Sequence, residues 1–277
     1  MSVSDKIKFV RDKMADAARR SGRGSDDVKL IAVTKYVLAD DWRIEEFIKN
    51  GCTDFGESRV QSLLDKIEYF DKKFLKSSSN IVYPSCLNFP ESEHTNVTSQ
   101  SDCSRAKPAA NTGFGITEDR LSWHMIGNLQ RNKIRKILSR ISLIHSVDSE
   151  RLAAAIDRVV VEELVGRPVR CLLEVAISCD ETKHGFAPSE IFDVVGRLGQ
   201  FRNLRVIGLM CMASLDADAT QTRREFATVR NIAEKLKSEE LPDNCSMDEL
   251  SMGMSDDFEI AIEEGATIVR IGKLLYD

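Results

Sequence analysis

The chain has 277 residues, of which 42% are hydrophobic and 30% charged, and its formal net charge is −5. This length and balance suit one α/β barrel, which commonly takes roughly 250 residues, and the negative charge gives nucleic acid no general reason to bind. Because the chain has neither an N-terminal signal sequence nor an apolar run of roughly 18 residues, we expect no membrane partner and a cytoplasmic location, with a mitochondrial one left open.

After an amphipathic helix at the start, short apolar or β-branched runs alternate with amphipathic helical segments. Eight runs predict strands: 28–35, 54–57, 121–127, 142–147, 170–177, 204–212, 250–254 and 267–272. The segments between them show the i, i+3, i+4 spacing of helices with one buried face. This order predicts an α/β fold, a single (β/α)8 TIM barrel over residues 1–277. A doubly wound open sheet is the alternative that the pattern alone leaves open.

One interval, residues 77–117, departs from this alternation. It is rich in Ser, Thr, Asn and Pro, shows no sustained period, and falls where a short loop before the third strand is expected. We interpret it as a disordered insertion in the barrel.

The first predicted strand, "VKLIAVTK", is apolar on both faces and ends at Lys35. Counting by twos places Lys35 on the face of Val33 and Ile31, at the strand end where barrel enzymes carry their chemistry. A partly desolvated lysine there would have a lowered pKa, and a neutral amine attacks aldehydes to form a Schiff base. The alternative is a lysine that snorkels to solvent or pairs with a carboxylate, and this segment alone favours that alternative.

Glycines follow the last two predicted strands. Gly253 in "LSMGMSDD" and Gly272 in "TIVRIGK" stand where barrels often bind phosphate, because glycine lets backbone N–H groups approach an anion. Ser251 or Ser255 could add a hydroxyl donor, whereas ordinary turns are the alternative for either glycine alone. The two aspartates after Ser255 would repel an anion, so the loop after strand 8 is the stronger candidate.

Arg270 precedes Gly272 by two residues, so the two share a face of strand 8. In a closed barrel strand 8 is the neighbour of strand 1, which brings Lys35 to the same mouth. These parts suit a phosphorylated aldehyde, since they offer a covalent anchor, a phosphate site and a partner for a ring nitrogen.

Six blocks carry a family resemblance: "LIAVTKY", "DFGESRVQ", "WHMIGNLQRNK", "HSVD", "GLMCM" and "LSMGMSDDFEIAIEEGATIVRIGK". Outside the insertion, nearly the whole chain resembles the YggS/PROSC family of pyridoxal phosphate homeostasis proteins, which are similar to the N-terminal barrel of alanine racemase. The resemblance implies that pyridoxal 5′-phosphate (PLP) is the cofactor, that Lys35 holds it as a Schiff base, and that Arg270 faces the pyridine nitrogen. It further implies which residues surround the phosphate: Ser251, Gly253, Gly272 and the backbone at Lys273.

Three departures from the family's pattern concern these blocks. Ser58 stands where the family usually has asparagine, so an amide contact near the cofactor is lost or replaced. Lys273 stands where the family usually has threonine, which removes a hydroxyl donor to the phosphate and adds a cation. The family usually continues past the last block, so we expect a shorter C-terminal closing segment after "LLYD".

The same residues bear on catalysis. An arginine against the pyridine nitrogen favours the unprotonated ring and weakens carbanion stabilisation. Alanine racemase adds a second domain with an opposing catalytic tyrosine, and this chain has no residues left for one. We therefore expect a non-enzymatic protein of intracellular PLP homeostasis that binds, buffers or delivers PLP. Its expected partners are PLP and apo PLP enzymes, and its expected assembly is a monomer or weak dimer. An amino-acid racemase or Schiff-base lyase of the same fold is the alternative.

Histidines and cysteines show no metal-ligand spacing, so we expect no metal site. His124 and His145 fall in strands 3 and 4, where roles in the core or as pocket lining are our interpretation. Glu57 ends strand 2 beside strand 1, where it either reaches Lys35 or serves the N-terminus of the following helix.

Overall fold

The computed structural model describes residues 1–77, 121–163, 165–177 and 184–277. Eight parallel strands form a closed barrel in sequence order. They are β1 (Lys29–Val33), β2 (Asp54–Glu57), β3 (Ser122–Met125), β4 (Leu143–Val147), β5 (Val169–Val175), β6 (Leu204–Cys211), β7 (Cys245–Ser251) and β8 (Ile268–Ile271). Pairing of β1 with β8, which aligns Ile31 with Arg270, closes the barrel and excludes the open sheet. The predicted (β/α)8 architecture is confirmed.

A helix precedes β1 and another follows each strand. They are α1 (Val3–Arg20), α2 (Trp42–Lys49), α3 (Val60–Ser77), α4 (Ile134–Ile137), α5 (Glu150–Glu162), α6 (Ile191–Leu198), α7 (Ala219–Lys237), α8 (Phe258–Glu263) and α9 (Lys273–Tyr276). Apart from Ser77, which ends α3, the insertion predicted at 77–117 lies outside the described residues. Among the residues described, no helix is both long and apolar enough to cross a membrane.

Local sequence explains several helix starts. Asp41, Ser149 and Asp218 stand just before α2, α5 and α7, and the side chain of each accepts a hydrogen bond from a backbone N–H of the first turn. Beyond these caps, the apolar stripe of each helix packs on the barrel. In α2, for example, Ile44 and Phe47 are buried.

Seven predicted strands match the observed ones within two residues at either end, and the seventh strand is the exception. The predicted range 250–254 is wrong, because β7 begins five residues earlier, at Cys245, and ends at Ser251. Its first half alternates buried Cys245 and Met247 with exposed Asp248, so it contains no apolar run that would mark it as a strand.

Alternation along the strands assigns the barrel interior. One buried cluster, separate from the core between strands and helices, consists of Ile31, Leu143, Leu172, Ile207, Met210 and Ile268. At Gly56 an added Cβ would lie 2.9 Å from Ile31 Cγ2 and 3.1 Å from Ile126 Cδ1, so a larger residue would displace this packing. The inward faces of β2 and β3 therefore also carry Asp54 and His124, two residues away from Gly56 and Ile126.

Candidate functional site

The ends of β8 and β1 lie side by side at the mouth of the barrel. Gly272 directly follows β8, and a Cβ built on it would lie 3.4 Å from Val33 Cβ and 3.5 Å from Tyr36 Cε2. The chain leaving β8 is therefore in contact with the turn that carries Lys35. Arg270 and Gly272 belong to the same inward face of β8.

Lys35 lies two residues beyond β1, in a turn, and its side chain is exposed. Its Nζ lies 5.0 Å from the centroid of the Tyr36 ring. A groove of about 360 Å³ next to this turn is lined by Lys35, Tyr36, Arg59 and Asp65, among others. The surrounding protein thus does not bury Lys35, and the partial desolvation considered from the sequence would have to come from a bound ligand.

Arg270 is the buried cation of the mouth, with only 5% of the residue exposed. Its guanidinium donates to the carbonyl oxygen of Ser251 at 2.7 Å, to Ser251 Oγ, and to the carbonyl oxygen of Cys211 at 2.9 Å. Three of its five N–H groups are thereby used, which leaves two without an acceptor among the described residues. Glu174 and Asp257 act on Arg270 only as nearby charges, so a buried positive charge remains for an electron-rich or anionic ligand.

The turn after β7 requires a glycine. Gly253 has φ +90°, and an added Cβ would lie 2.6 Å from Ala261 Cβ and 2.8 Å from Phe258 Cα. The carbonyl oxygen of Gly253 accepts a hydrogen bond from the backbone N–H of Arg270 at 3.0 Å. Close approach of this turn to α8 therefore depends on the missing side chain.

The two serines considered for a phosphate lie in different surroundings. Ser255 Oγ accepts a hydrogen bond from the backbone N–H of Leu274 at 3.3 Å, which puts a hydroxyl at the start of α9 next to the exposed Lys273. Ser251 is fully buried, and its hydroxyl contacts Arg270 and His145 instead. A direct contact between Ser251 and a phosphate therefore stays a prediction.

Glu174 on β5 is a buried acid close to Arg270, with 7% of the residue exposed. Burial and the neighbouring Asp148 raise the pKa of Glu174 to about 7, against the opposing effect of Arg270. Near neutral pH, Glu174 therefore exchanges between a neutral acid and an anion that would offset the charge of Arg270.

This raised pKa predicts how stability depends on pH. The folded protein keeps the proton of Glu174 up to about pH 7, whereas the unfolded chain releases it near the ordinary value of 4.5. That stabilisation is complete below pH 4.5 and is lost as the pH rises through 7. Relative to wild type, Glu174→Gln should therefore gain about 2 to 3 kcal/mol in free energy of unfolding between pH 4.5 and 8. Urea denaturation at both pH values measures this gain, with the exposed Glu239→Gln as control, and an equal difference at both pH values would contradict it.

A buried ion pair lies behind the Lys35 turn, between the barrel and α3. Lys66 Nζ lies 2.6 Å from Glu57 Oε1, with the side chains 1% and 0% exposed. Lys66 also donates to the carbonyl oxygen of Val37 at 2.9 Å, and Thr34 Oγ1 donates to Glu57 Oε1 at 2.6 Å. The pair thus connects β2 and α3 to the residues on both sides of Lys35. Neither role that the sequence offered for Glu57 is the one observed.

The sequence contains a signal that Lys66 is buried. Leu63, Ile67 and Phe70 form the buried stripe of α3, and Lys66 stands on that stripe. A lysine at such a position indicates a buried partner. That the partner is Glu57, nine residues earlier, could not be derived from helical spacing.

Comparison with known proteins shows similarity over nearly the whole chain. Residues 10–277 match the family described as alanine racemase, N-terminal domain. A pyridoxal phosphate homeostasis protein of Aquifex aeolicus is 30% identical over 276 residues, covering 100% of this chain and 98% of that protein.

Two solved structures have the same fold over nearly their full length. The crystal structure of an unknown protein from Bifidobacterium adolescentis superposes with a TM-score of 0.76 at 31% identity, covering 99% of this chain and 94% of that one. PipY of Synechococcus elongatus, solved with PLP bound, gives a TM-score of 0.72 at 28% identity, covering 100% of both chains. The similarity therefore extends over the entire barrel rather than a single motif.

Proposed function

The chain belongs to the alanine racemase N-terminal domain family, among its pyridoxal phosphate homeostasis proteins, and on this premise we propose that it binds PLP at the barrel mouth and serves intracellular PLP homeostasis. The observation that carries the proposal is the buried Arg270, which has two N–H groups to offer and lies on the strand next to the Lys35 turn. PLP is anionic, which suits the buried positive charge of Arg270. Its ring nitrogen accepts hydrogen bonds, which suits the two N–H groups.

We assign roles at this site residue by residue. Lys35 would hold PLP covalently, its amine joined to the aldehyde as a Schiff base with loss of one water. Arg270 would donate a hydrogen bond to the pyridine nitrogen. The glycine turns after β7 and β8, together with Ser255 and Lys273, would hold the phosphate. Ser251 contributes through its contact with Arg270. The whole proposed set is Lys35, Ser251, Gly253, Arg270, Gly272 and Lys273.

Two features favour holding PLP over using it as a catalyst. Bound PLP supplies an electron sink only to the degree that its ring nitrogen is protonated, and Arg270 can only donate a hydrogen bond to that nitrogen. The exposed turn around Lys35 would also leave the covalent link open to an incoming amine. The site therefore suits binding, buffering and delivery of PLP.

Exposed apolar side chains border the mouth and favour the binding of a protein partner there. Tyr36 and Leu38 follow β1, Met212 and Leu215 follow β6, and Met254 follows β7. Their exposed fractions reach 78% at Leu38 and 93% at Leu215. We infer that an apo PLP enzyme contacts this rim when it accepts the cofactor.

The test combines a spectrum with an assay of proton exchange. Adding PLP to the purified protein should produce a visible absorption band of a Schiff base at one PLP per chain. The loaded protein should not exchange the α-protons of amino acids in deuterated water at enzymic rates. Absence of the band would contradict the holding of PLP as a Schiff base, and Lys35-dependent exchange at enzymic rates would favour the racemase or lyase alternative.

A further inference from the structure

A continuous series of hydrogen-bonded side chains runs through the barrel from Arg270 to the opposite end. The guanidinium of Arg270 contacts Ser251 Oγ, and this hydroxyl lies 2.9 Å from His145 Nδ1. His145 Nε2 lies 3.0 Å from His124 Nδ1, and His124 Nε2 lies 3.1 Å from Asp54 Oδ1. The two histidines and Ser251 are at most 2% exposed, so water does not substitute for these contacts.

The series of hydrogen bonds crosses the barrel interior and connects its N-terminal end with its C-terminal end. Asp54 is the first residue of β2, at the N-terminal end of the barrel, whereas Arg270 lies near the C-terminal end of β8. His124 and His145 occupy neighbouring strands, and His145 reaches across the interior to Ser251 on β7. Five strands thus contribute one inward side chain each.

The chemistry of the two ends determines the direction of every hydrogen bond between them. Asp54 as a carboxylate can only accept, so His124 must carry its hydrogen on Nε2. A neutral His124 then accepts at Nδ1, so His145 must carry its hydrogen on Nε2 as well. His145 accepts at Nδ1, hence the Ser251 hydroxyl must donate to it. The hydroxyl oxygen is left to accept from Arg270, which can only donate.

The protonation states agree with this direction. Burial lowers the pKa of both His124 and His145, and for His145 the nearby His124 and Arg270 lower it further, so both rings are neutral. Burial would raise the pKa of Asp54, but the hydrogen bond from His124 and the charge of Lys29 outweigh that effect, and Asp54 stays ionised. Each inner member therefore donates once and accepts once.

We propose that Asp54, His124 and His145 are positioning residues for Arg270, which they hold by a one-directional series of hydrogen bonds through Ser251. This inference rests on the proposed function, in which Arg270 meets the pyridine nitrogen of PLP. A carboxylate in direct contact with Arg270 would neutralise its charge and compete for its N–H groups. Placing the carboxylate three neutral groups away orients the acceptor hydroxyl and leaves the guanidinium charge at the mouth for PLP.

The first test determines which ring nitrogen of each histidine carries the hydrogen, and it needs no cofactor. Long-range ¹⁵N–¹H NMR of histidine-labelled wild-type protein should show His124 and His145 both as neutral Nε2–H tautomers, with the exposed His184 as an internal reference. In Asp54→Ala this preference should be lost, because the accepting end is gone. Finding either ring of the wild type with its hydrogen on Nδ1 would overturn the proposal.

The second test is a double-mutant cycle on PLP affinity. Asp54→Ala should weaken PLP binding about tenfold, as expected for a misplaced hydrogen bond to a charged group. Arg270→Gln should also weaken binding, and the double variant should bind no more weakly than Arg270→Gln alone. The matched control is Asp243→Ala, an exposed aspartate at the same end of the barrel, which should bind PLP as the wild type does.

The outcomes separate this inference from the function on which it rests. If the wild type binds PLP and the effects of Asp54→Ala and Arg270→Gln multiply, or if Asp54→Ala binds PLP normally, the positioning series is wrong and PLP binding stands. If the wild type fails to bind PLP, the proposed function fails, and the histidine tautomers still decide whether the series exists.

Discussion

Replacing Lys35 by alanine should abolish covalent attachment of PLP. The visible band should disappear, and borohydride reduction should leave no phosphopyridoxyl group on the protein, because the amine at this turn is the proposed anchor. Lys237→Ala, at the exposed end of α7, serves as the control and should be labelled like the wild type. Intact-protein mass spectrometry after reduction measures the labelled fraction.

Peptide mapping should locate the reduced label on Lys35, which has to be checked since another lysine lies at the same mouth. Lys273 is exposed at the start of α9 and follows Gly272, which contacts the Lys35 turn through Tyr36. If the reduced label maps to Lys273, or if Lys35→Ala keeps an unchanged band, the anchor is assigned wrongly. Noncovalent PLP binding by Lys35→Ala is compatible with the proposal, because Arg270 and the glycine turns remain.

Replacing Lys66 by methionine should destabilise the protein by about 3 to 5 kcal/mol. The substitution keeps the volume in the core but leaves the fully buried Glu57 carboxylate without its cation. Glu57 Oε2 already has no hydrogen-bond partner among the described residues, so little remains to compensate the charge. Urea denaturation at neutral pH gives the loss in free energy of unfolding.

Two further variants distinguish loss of the ion pair from a general effect of the substitution. Lys72→Met, on the same helix, removes an exposed pair with Glu68 and should change stability by less than about 1 kcal/mol. Glu57→Gln combined with Lys66→Met removes both charges and should recover part of the loss. If Lys66→Met is no more destabilising than Lys72→Met, the buried pair does not have the energetic role assigned to it.

Much of the barrel was predictable because its signals are local. Most strands were marked by apolar or β-branched runs, and β2 agrees with its predicted range at both ends. β7 was misplaced because its first half alternates buried and exposed residues, as in Met247 and Asp248, without an apolar run. The predicted position of Lys35 at the end of β1 depended on strand periodicity alone, which carries no information on the exposure of a turn.

Sequence alone determined the order of elements and the family resemblance, and it predicted the (β/α)8 fold and the residues at the barrel mouth, because periodicity and motif spacing are properties of short segments. Only the tertiary structure decided which distant side chains meet, because such contacts depend on barrel closure and strand register. Glu57 with Lys66, and Asp54 with His124, are both pairs of this kind. Lys35 and Arg270 could thus be proposed from the sequence, while the buried groups that support them became visible only in the folded barrel.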